Sequence, residues 1–203
     1  MYTNFDYEKE LISQGYKLIA GVDEVGRGAL AGPLLSCAVI LDAAKDFDGL
    51  AEIRDSKKIS SKKRERLSAI IKKECIDFSF GVVSAREIDN LGISSANGLS
   101  FERALQGLKK VDYALVDGRD LFDLWLPHRC VVGGDNISTS IAVASILAKV
   151  ERDGIMAGLP NCSIYHFDKH AGYGTKLHFE MINKHGVSDQ HRKSFLKNLS
   201  NIK

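Results

Sequence analysis

The sequence predicts an α/β protein in which helices flank a mixed central sheet. Short apolar runs typical of buried strands alternate with amphipathic, helix-like segments. The order is strand, strand, helix, strand, helices, strand, strand, helix. The first two strands follow each other without a helix, as in a hairpin, whereas the later ones are separated by helices and imply crossover connections.

The strands are predicted from apolar runs bounded by glycine, proline or acidic residues. They cover residues 17–22, 34–41, 78–83, 113–116 and 130–132. The predicted helices cover residues 5–15, 61–74, 85–91, 94–110, 136–155 and 179–184. We expect Ser94 or Ser95 to cap the fourth helix, and we expect residues 42–60 to form a loop.

Composition places the chain among ordinary globular proteins. It has 203 residues, of which 44% are hydrophobic and 27% charged, with a net charge of +2. We expect one domain over residues 1–203, with a helical C-terminal part from about residue 175. The four cysteines are widely spaced, and the N-terminus is polar and acidic. These features favour a cytoplasmic protein without a membrane anchor, and the expected state is a monomer.

The stretch from Leu18 to Ile40 carries the main indication of a functional site. A buried strand ends in Asp23 and Glu24, and the glycine-rich turn Gly26-Arg27-Gly28 follows. Two adjacent carboxylates at the end of a buried strand are costly unless a cation compensates them. An exposed charged turn is the simpler alternative for such a pair taken alone.

Two further acids follow later strands. Asp117 ends the fourth strand, and Asp135 lies between the fifth strand and the long helix. Taken alone, Asp117 is explained as part of a turn, and Asp135 as an acid near the start of a helix. If the first and fourth strands are neighbours, however, the acids meet at one sheet edge. An all-oxygen ligand set favours Mg²⁺ or Mn²⁺, and two such ions suit phosphoryl chemistry.

The motifs taken in order resemble bacterial ribonuclease HII, the type 2 ribonuclease H, from about Leu18 to Phe195. The matching segments are Gly21-Val22-Asp23-Glu24-Val25-Gly26-Arg27-Gly28 with Gly32-Pro33, Asp55-Ser56-Lys57-Lys58, Val116-Asp117-Gly118, Gly134-Asp135, Ala144-Ser145-Ile146-Leu147-Ala148-Lys149-Val150 with Arg152-Asp153, His170 with Gly172-Tyr173-Gly174-Thr175, and His191-Arg192 with Ser194-Phe195.

The resemblance implies a ribonuclease H-like fold with a helical C-terminal extension. It implies hydrolysis of the RNA strand of RNA–DNA hybrids, and of duplex DNA at single embedded ribonucleotides, by two metal ions. The products would carry 5′-phosphate and 3′-hydroxyl ends, as ribonucleotide excision repair requires. By the same resemblance, Asp23, Glu24, Asp117 and Asp135 hold the Mg²⁺ or Mn²⁺ ions and are catalytic.

The substrate contacts are also carried over from the resemblance. It assigns recognition of the 2′-hydroxyl at the RNA-to-DNA junction to Gly26, Arg27, Gly28 and Tyr173. Ser56 is expected to contact the substrate. Phosphate contacts are expected from Lys57, Lys58 and the basic helix 61–73, although a solvated face explains that helix equally well. Lys149 and Arg152 lie about one helical turn apart and are expected to face the cleft. Ser145 either packs or binds a phosphate, and Arg27 either binds a phosphate or pairs with an acid.

Two residues of this chain depart from the family pattern. Gly133 and Ala171 stand where the family pattern has lysine, which bears on the affinity for substrate and on its salt tolerance.

A dinucleotide-binding turn is one alternative function, but its third glycine is missing and the two acids would repel a pyrophosphate. A non-catalytic nucleic-acid-binding module is the other, and it gives no reason for converging acids.

Overall fold

The computed structural model describes residues 3–53, 59–119 and 123–196. The predicted contacts Ser56, Lys57 and Lys58 therefore lie outside the described residues. The strands are β1 Ile19–Val25, β2 Leu34–Ile40, β3 Asp77–Val83, β4 Tyr113–Asp117 and β5 His128–Val131. The helices are α1 Asp6–Ser13, α2 Leu50–Ile53, α3 Ser61–Glu74, α4 Ala85–Leu91, α5 Ile93–Gln106, α6 Thr139–Ala157, α7 Cys162–Tyr165, α8 Phe167–His170, α9 Lys176–His185 and α10 Lys193–Leu196.

The five strands form one mixed sheet in the order β3-β2-β1-β4-β5. β1 pairs antiparallel with β2, and β2 pairs antiparallel with β3. On the other side, β4 pairs parallel with both β1 and β5. The predicted mixed sheet is thus confirmed, with an antiparallel half and a crossover-connected parallel half.

Helices cover both faces of the sheet because successive side chains of β2 point to opposite sides. Cys37 and Val39 pack in a cluster that includes α3 and α6 side chains, such as Leu147. Ala38 and Ile40 pack in a second cluster that includes Phe101 of α5. All six side chains are essentially inaccessible to solvent. The neighbouring strand β1, which carries the two adjacent acids, pairs with β2 and buries Ala20 and Val22, so it belongs to the same core.

A glycine lets the start of α6 approach the centre of the sheet. A Cβ atom added to Gly21 of β1 would lie 2.2 Å from the carbonyl carbon of Ser140. A side chain at this position would push α6 away from the strand. This contact fixes the distance between β1 and the helix that follows Asp135.

Several predicted element boundaries need correction. α5 begins at Ile93 with Gly92 at its N-cap, so the expected cap by Ser94 or Ser95 is wrong, and the helix ends at Gln106. The long helix starts at Thr139, where the hydroxyl of Ser138 accepts a hydrogen bond from the amide of Ile141. The preceding Gly134–Asn136 forms a 3₁₀ turn.

Three short helices were absent from the sequence prediction. α2 lies within the expected loop 42–60, and α7 and α8 precede the expected C-terminal helices. Each has only four residues, too few for a helical hydrophobic period to emerge. Among the described residues, no helix combines the length and apolarity needed to cross a bilayer.

Candidate active site

The parallel pairing of β1 with β4 brings two of the predicted acids to one edge of the sheet. The register sets Val22 opposite Val116, so Asp23 and Asp117 are the next residues on neighbouring strands. The amide of Gly134 donates a hydrogen bond of 2.6 Å to Oδ1 of Asp117. This bond draws the segment containing Asp135 towards the same edge.

Glu24 lies between two adjoining recesses of the cleft. One recess, of about 420 Å³, is lined by Glu24, Asp117 and the arginine of the glycine-rich turn. The other, of about 240 Å³, is lined by Glu24, Asp135 and Ser145. The structure therefore brings Glu24, Asp117 and Asp135 to adjoining recesses of one cleft. Asp23 is 6% exposed and lies beside them, close enough to interact with the charges of Glu24 and Asp117.

Burial and mutual repulsion make ionisation of these acids unfavourable. Burial raises the pKa of Asp23 well above its usual range, and the charges of Glu24 and Asp117 raise it further. Burial, followed by the Asp117 charge, also raises the pKa of Glu24. For Asp117, burial and the nearby Asp135 raise the pKa. The site thus holds excess negative charge in a poorly solvated place.

Neighbouring polar groups orient the first two acids. The amide of Glu24 donates a 2.7 Å hydrogen bond to Oδ1 of Asp23, and the Ser145 hydroxyl also bonds to Asp23. Ser145 therefore lies against Asp23 and also lines the recess of Asp135. The side chain of Asn97, on α5, lines the same recess as Glu24, and its proximity lowers the pKa of that acid. Sequence reasoning missed Asn97, because a single Asn within a helix carries no motif.

The donor set has the chemistry of a site for a hard divalent cation. Three carboxylates line the cleft and the buried Asp23 lies beside them, and the Arg27 guanidinium approaches Glu24 at 3.8 Å. Within the described ranges, no three carboxylate, histidine or cysteine side chains converge closely enough to enclose an ion. The acids are therefore gathered in one cleft but are spread along it.

The glycine-rich turn between β1 and β2 borders the acids. Gly26 has a φ of +90°, and a Cβ atom there would lie 2.1 Å from Nε of Arg152. Gly28 has open space at its Cβ position. The Arg27 side chain is half exposed and pairs with Glu24. Of the two alternatives for Arg27, the structure therefore has the one in which it pairs with an acid. The backbone at Gly28 is therefore open to approach, next to Arg27, which lines the recess of Asp117.

Arg152 does not face the cleft, so the expectation that it does is wrong. It is fully buried and donates hydrogen bonds to the carbonyls of Pro33, Ala31 and Ala171. Burial lowers the pKa of this guanidinium. Arg192 is equally buried and donates to the carbonyls of Gly32 and Arg27. Both arginines hold the backbone of the glycine-rich turn and its continuation.

Tyr173 lies on a loop that is joined to the glycine-rich turn. The carbonyl of Gly172 accepts hydrogen bonds from the amides of Leu30 and Ala31, at 2.8 and 3.3 Å. The ring of Tyr173 is 36% exposed and lies 5.6 Å from the Arg152 guanidinium. The structure thus places the ring next to the turn, on the surface of the cleft.

The third part of the cleft, of about 740 Å³, extends from the acids towards Tyr173. It is lined by Arg64, Lys149 and Lys169, and the first two also border the recess of Asp135. Lys149 forms a salt bridge with Asp153 of the same helix. The predicted Lys149 therefore lies in the cleft, although its charge is shared with an acid.

The basic helix α3 is divided between two roles. Lys63 and Arg66 pair with Glu52, and Lys72 pairs with Glu151 at 3.2 Å. Arg64, by contrast, lines the cleft and donates to the carbonyl of Ile59. Only part of the helix therefore presents positive charge to a ligand.

The two departures from the family pattern lie at opposite ends of the cleft. Gly133 lines the recess of Asp117 with a φ of +67°, and Ala171 lines the recess of Tyr173 with a φ of +48°.

The dinucleotide-binding alternative is not supported, because the glycine-rich turn leads into the antiparallel strand β2 and not into a helix.

The fold and the cleft define a ribonuclease H-like protein, and the comparisons agree. Ribonuclease HII from Archaeoglobus fulgidus, solved in complex with PCNA, is 26% identical with a TM-score of 0.72, covering 91% of this chain and 96% of that one. Ribonuclease H2 from Pyrococcus horikoshii is 23% identical with a TM-score of 0.70, covering 90% and 100% of the two chains.

Sequence comparison narrows the class to one family. The model of the family described as Ribonuclease HII matches residues 20–198. Ribonuclease HII of Caldicellulosiruptor saccharolyticus is 46% identical over 96% of this chain and 95% of the relative. That of Dehalococcoides mccartyi is 45% identical over 93% and 90%. The chain belongs to the ribonuclease HII family and is an endoribonuclease with ribonuclease H activity.

Proposed function

We propose that this protein cuts the RNA strand of RNA–DNA hybrids, and duplex DNA at single embedded ribonucleotides, with Mg²⁺ or Mn²⁺ as cofactor. The observation that carries the proposal is the meeting of Glu24, Asp117 and Asp135 in one cleft, with the buried Asp23 beside Glu24 and Asp117. A non-catalytic nucleic-acid-binding surface has no use for acids that would repel phosphates.

The four acids suit a hard divalent cation by ligand type and by charge. Carboxylate oxygens are the ligands that Mg²⁺ and Mn²⁺ prefer. The raised pKa values of Asp23, Glu24 and Asp117 mean that a bound cation would relieve an existing repulsion. When bound, a pair of such ions would activate a water molecule and stabilise the leaving oxygen of the phosphodiester.

The chain's own residues orient this arrangement. The Ser145 hydroxyl and the Glu24 amide hold Asp23, and the Gly134 amide holds Asp117. Because these donors lie on the core elements β1 and α6 and on the turn that precedes α6, they fix the acids before a substrate arrives. An in-line attack by water then releases a 3′-hydroxyl and leaves a 5′-phosphate.

Recognition of the 2′-hydroxyl fits the junction of the glycine-rich turn with the Tyr173 loop. The amides of Arg27 and Gly28 donate to no backbone carbonyl among the described residues. Open space at Gly28 allows a sugar to approach these amides. The half-exposed Tyr173 ring would stack on the neighbouring deoxyribose, where an additional hydroxyl would clash.

The basic part of the cleft supports binding of a duplex. Arg64, Lys149 and Lys169 line the part of the cleft beside Tyr173 and would contact phosphates. Glu65, Asp153 and Asp168 line the same part, so the two lysines would exchange an acid partner for a phosphate. Incision beside a lone ribonucleotide is the chemistry with which ribonucleotide excision repair begins, and we place the protein in that process in the cytoplasm.

One cleavage assay tests the proposal. A DNA duplex carrying a single ribonucleotide is compared with a uniform RNA–DNA hybrid, each with Mg²⁺, with Mn²⁺ and with EDTA. We expect cleavage of both substrates with either metal, none with EDTA, and products with 5′-phosphate and 3′-hydroxyl ends. Salt-sensitive binding to both substrates without cleavage in Mn²⁺ would instead identify a binding module.

A further inference from the structure

A cluster of three buried histidines lies directly behind the Tyr173 loop. His170, His178 and His191 are 8%, 0% and 2% exposed. The rings of His170 and His178 stack at 4.4 Å, and those of His178 and His191 lie 5.2 Å apart. None of the three lines the recesses that contain the four acids. The proposed reaction leaves this cluster without a role.

The hydrogen bonds of the cluster define the protonation of each ring. The Tyr173 carbonyl can only accept, so Nδ1 of His178, 3.0 Å away, carries the proton. Nε2 of His178 is then unprotonated and accepts from Nε2 of His191 at 3.1 Å. Nδ1 of His191 in turn accepts from the Ser188 amide at 3.0 Å. Both rings are therefore neutral and locked in complementary tautomers.

This chain of hydrogen bonds ends on the backbone of Tyr173. The Tyr173 carbonyl accepts from His178 and from the amide of Thr175, and the Tyr173 amide donates to the carbonyl of His170. The preceding Gly172 is bonded to the continuation of the glycine-rich turn. The histidines thus hold one side of the loop, while the turn and Arg152 hold the other.

We infer that His178 is a positioning residue that determines specificity for the RNA-to-DNA junction, and that His191 fixes the tautomer in which it does so. The inference rests on the proposed role of Tyr173 in sensing the sugar beside the ribonucleotide. Nδ1–H of His178 fixes the Tyr173 carbonyl and thereby the height of the ring above the cleft. A loop that lacks this bond would admit either sugar beneath the ring.

Two variants of nearly equal size separate this role from simple packing. His178→Asn places an amide donor where Nδ1 was, whereas His178→Leu has the same shape without a donor. The readout is the ratio of kcat/KM for the single-ribonucleotide duplex to kcat/KM for the uniform hybrid. We expect His178→Leu to lower this ratio about 10-fold or more, and His178→Asn to retain it within about 3-fold.

Two further variants make the result decisive. Ile182→Ala empties a buried position on the same helix without touching Tyr173, so it should lower Tm and leave the ratio unchanged. Tyr173→Ala should lower the ratio at least as far as His178→Leu. If Tyr173→Ala has no effect, the proposed role of Tyr173 fails. If Tyr173→Ala lowers the ratio but His178→Leu does not, only the present inference fails.

Two other outcomes would also overturn the inference: equal losses in His178→Leu and His178→Asn, or a loss in Ile182→Ala. A spectroscopic measurement tests the hydrogen bonds directly. ¹⁵N chemical shifts at pH 7 should show His178 protonated at Nδ1 and His191 protonated at Nε2. The opposite tautomer of His178 would contradict the bond to Tyr173.

Discussion

Asp23 and Asp117 are the next residues after a paired position on two neighbouring parallel strands. Each strand delivers its acid to the same sheet edge, and each acid has a raised pKa because of burial. The fold thus brings together two acids, and the repulsion between their negative charges destabilises the folded protein. Such an arrangement is maintained where the acids are needed for binding or for chemistry.

The first prediction concerns stability without metal. Since folding raises the pKa of Asp23, the charged form costs stability at neutral pH. Asp23→Asn should therefore raise Tm in EDTA by about 2–4 °C. Mg²⁺ should raise the Tm of the wild type more than that of the variant. Thermal unfolding measures both, and an unchanged or lower Tm for Asp23→Asn in EDTA would contradict the account.

The meeting of Asp23 with Asp117 could be predicted because apolar runs mark strands and acids mark their ends. The position of Asp135 was harder to predict, since it depends on a 3₁₀ turn and on the bond from Gly134 to Asp117. The prediction that Arg152 faces the cleft was wrong because helical spacing does not reveal which face a helix buries. It lies instead among the carbonyls of the turn.

Other features of the site had no sequence signal. Asn97 contacts Glu24 only because α5 packs across β1 and β2. His178 and His191 are 13 positions apart, one on α9 and the other beyond the end of that helix at Gly186, and they meet only because the chain turns back there. Tertiary contacts of this kind come from the whole fold and not from any local pattern.

The second prediction concerns the dependence of binding on salt. Arg64→Ala and Lys149→Ala should each weaken binding to a hybrid and reduce the slope of log K against log salt by roughly 0.7–0.9. Lys63 lies on the same helix as Arg64 but pairs with Glu52 and lines none of the three parts of the cleft, so Lys63→Ala is the matched control. Titration by fluorescence anisotropy at several salt concentrations measures the slopes. Equal effects from Lys63→Ala and Arg64→Ala would contradict the proposed path.

The third prediction separates two glycines of one turn. Gly26→Ala strains a residue with a φ of +90° and clashes with Arg152, so Tm should fall by roughly 5 °C or more. Gly28→Ala meets no neighbour, so Tm should stay unchanged while kcat/KM falls about 10-fold or more. Thermal unfolding and cleavage kinetics are compared for both variants. A Gly28→Ala protein that cuts at the wild-type rate would exclude close approach of the sugar at this position.

The fourth prediction concerns stability in acid. Burial, with repulsion from His170, lowers the pKa of His178 to about 4, and burial likewise lowers that of His191 to about 4. The unfolded chain takes up these protons near pH 6.5. Between pH 6.5 and 4 the unfolded state therefore binds more protons, and the free energy of unfolding falls as the pH falls.

This fourth prediction is measured as the change in Tm between pH 7 and pH 4.5. Raised carboxyl pKa values act in the opposite direction, so variants that differ only at residue 178 are compared. His178→Asn should lose less Tm on acidification than the wild type, by roughly 3 °C or more, whereas His185→Asn at an exposed position should match the wild type. Equal losses in all three proteins would exclude a buried neutral His178.

The central claim is that acids from separate strands act together in hydrolysis. Its most direct measurement is the rate at which Asp23→Asn and Asp117→Asn cut a single-ribonucleotide duplex in Mn²⁺, alongside circular dichroism. The account predicts folded proteins whose rates are at least about 100-fold below that of the wild type. A folded variant of either kind that cuts at the wild-type rate would contradict it.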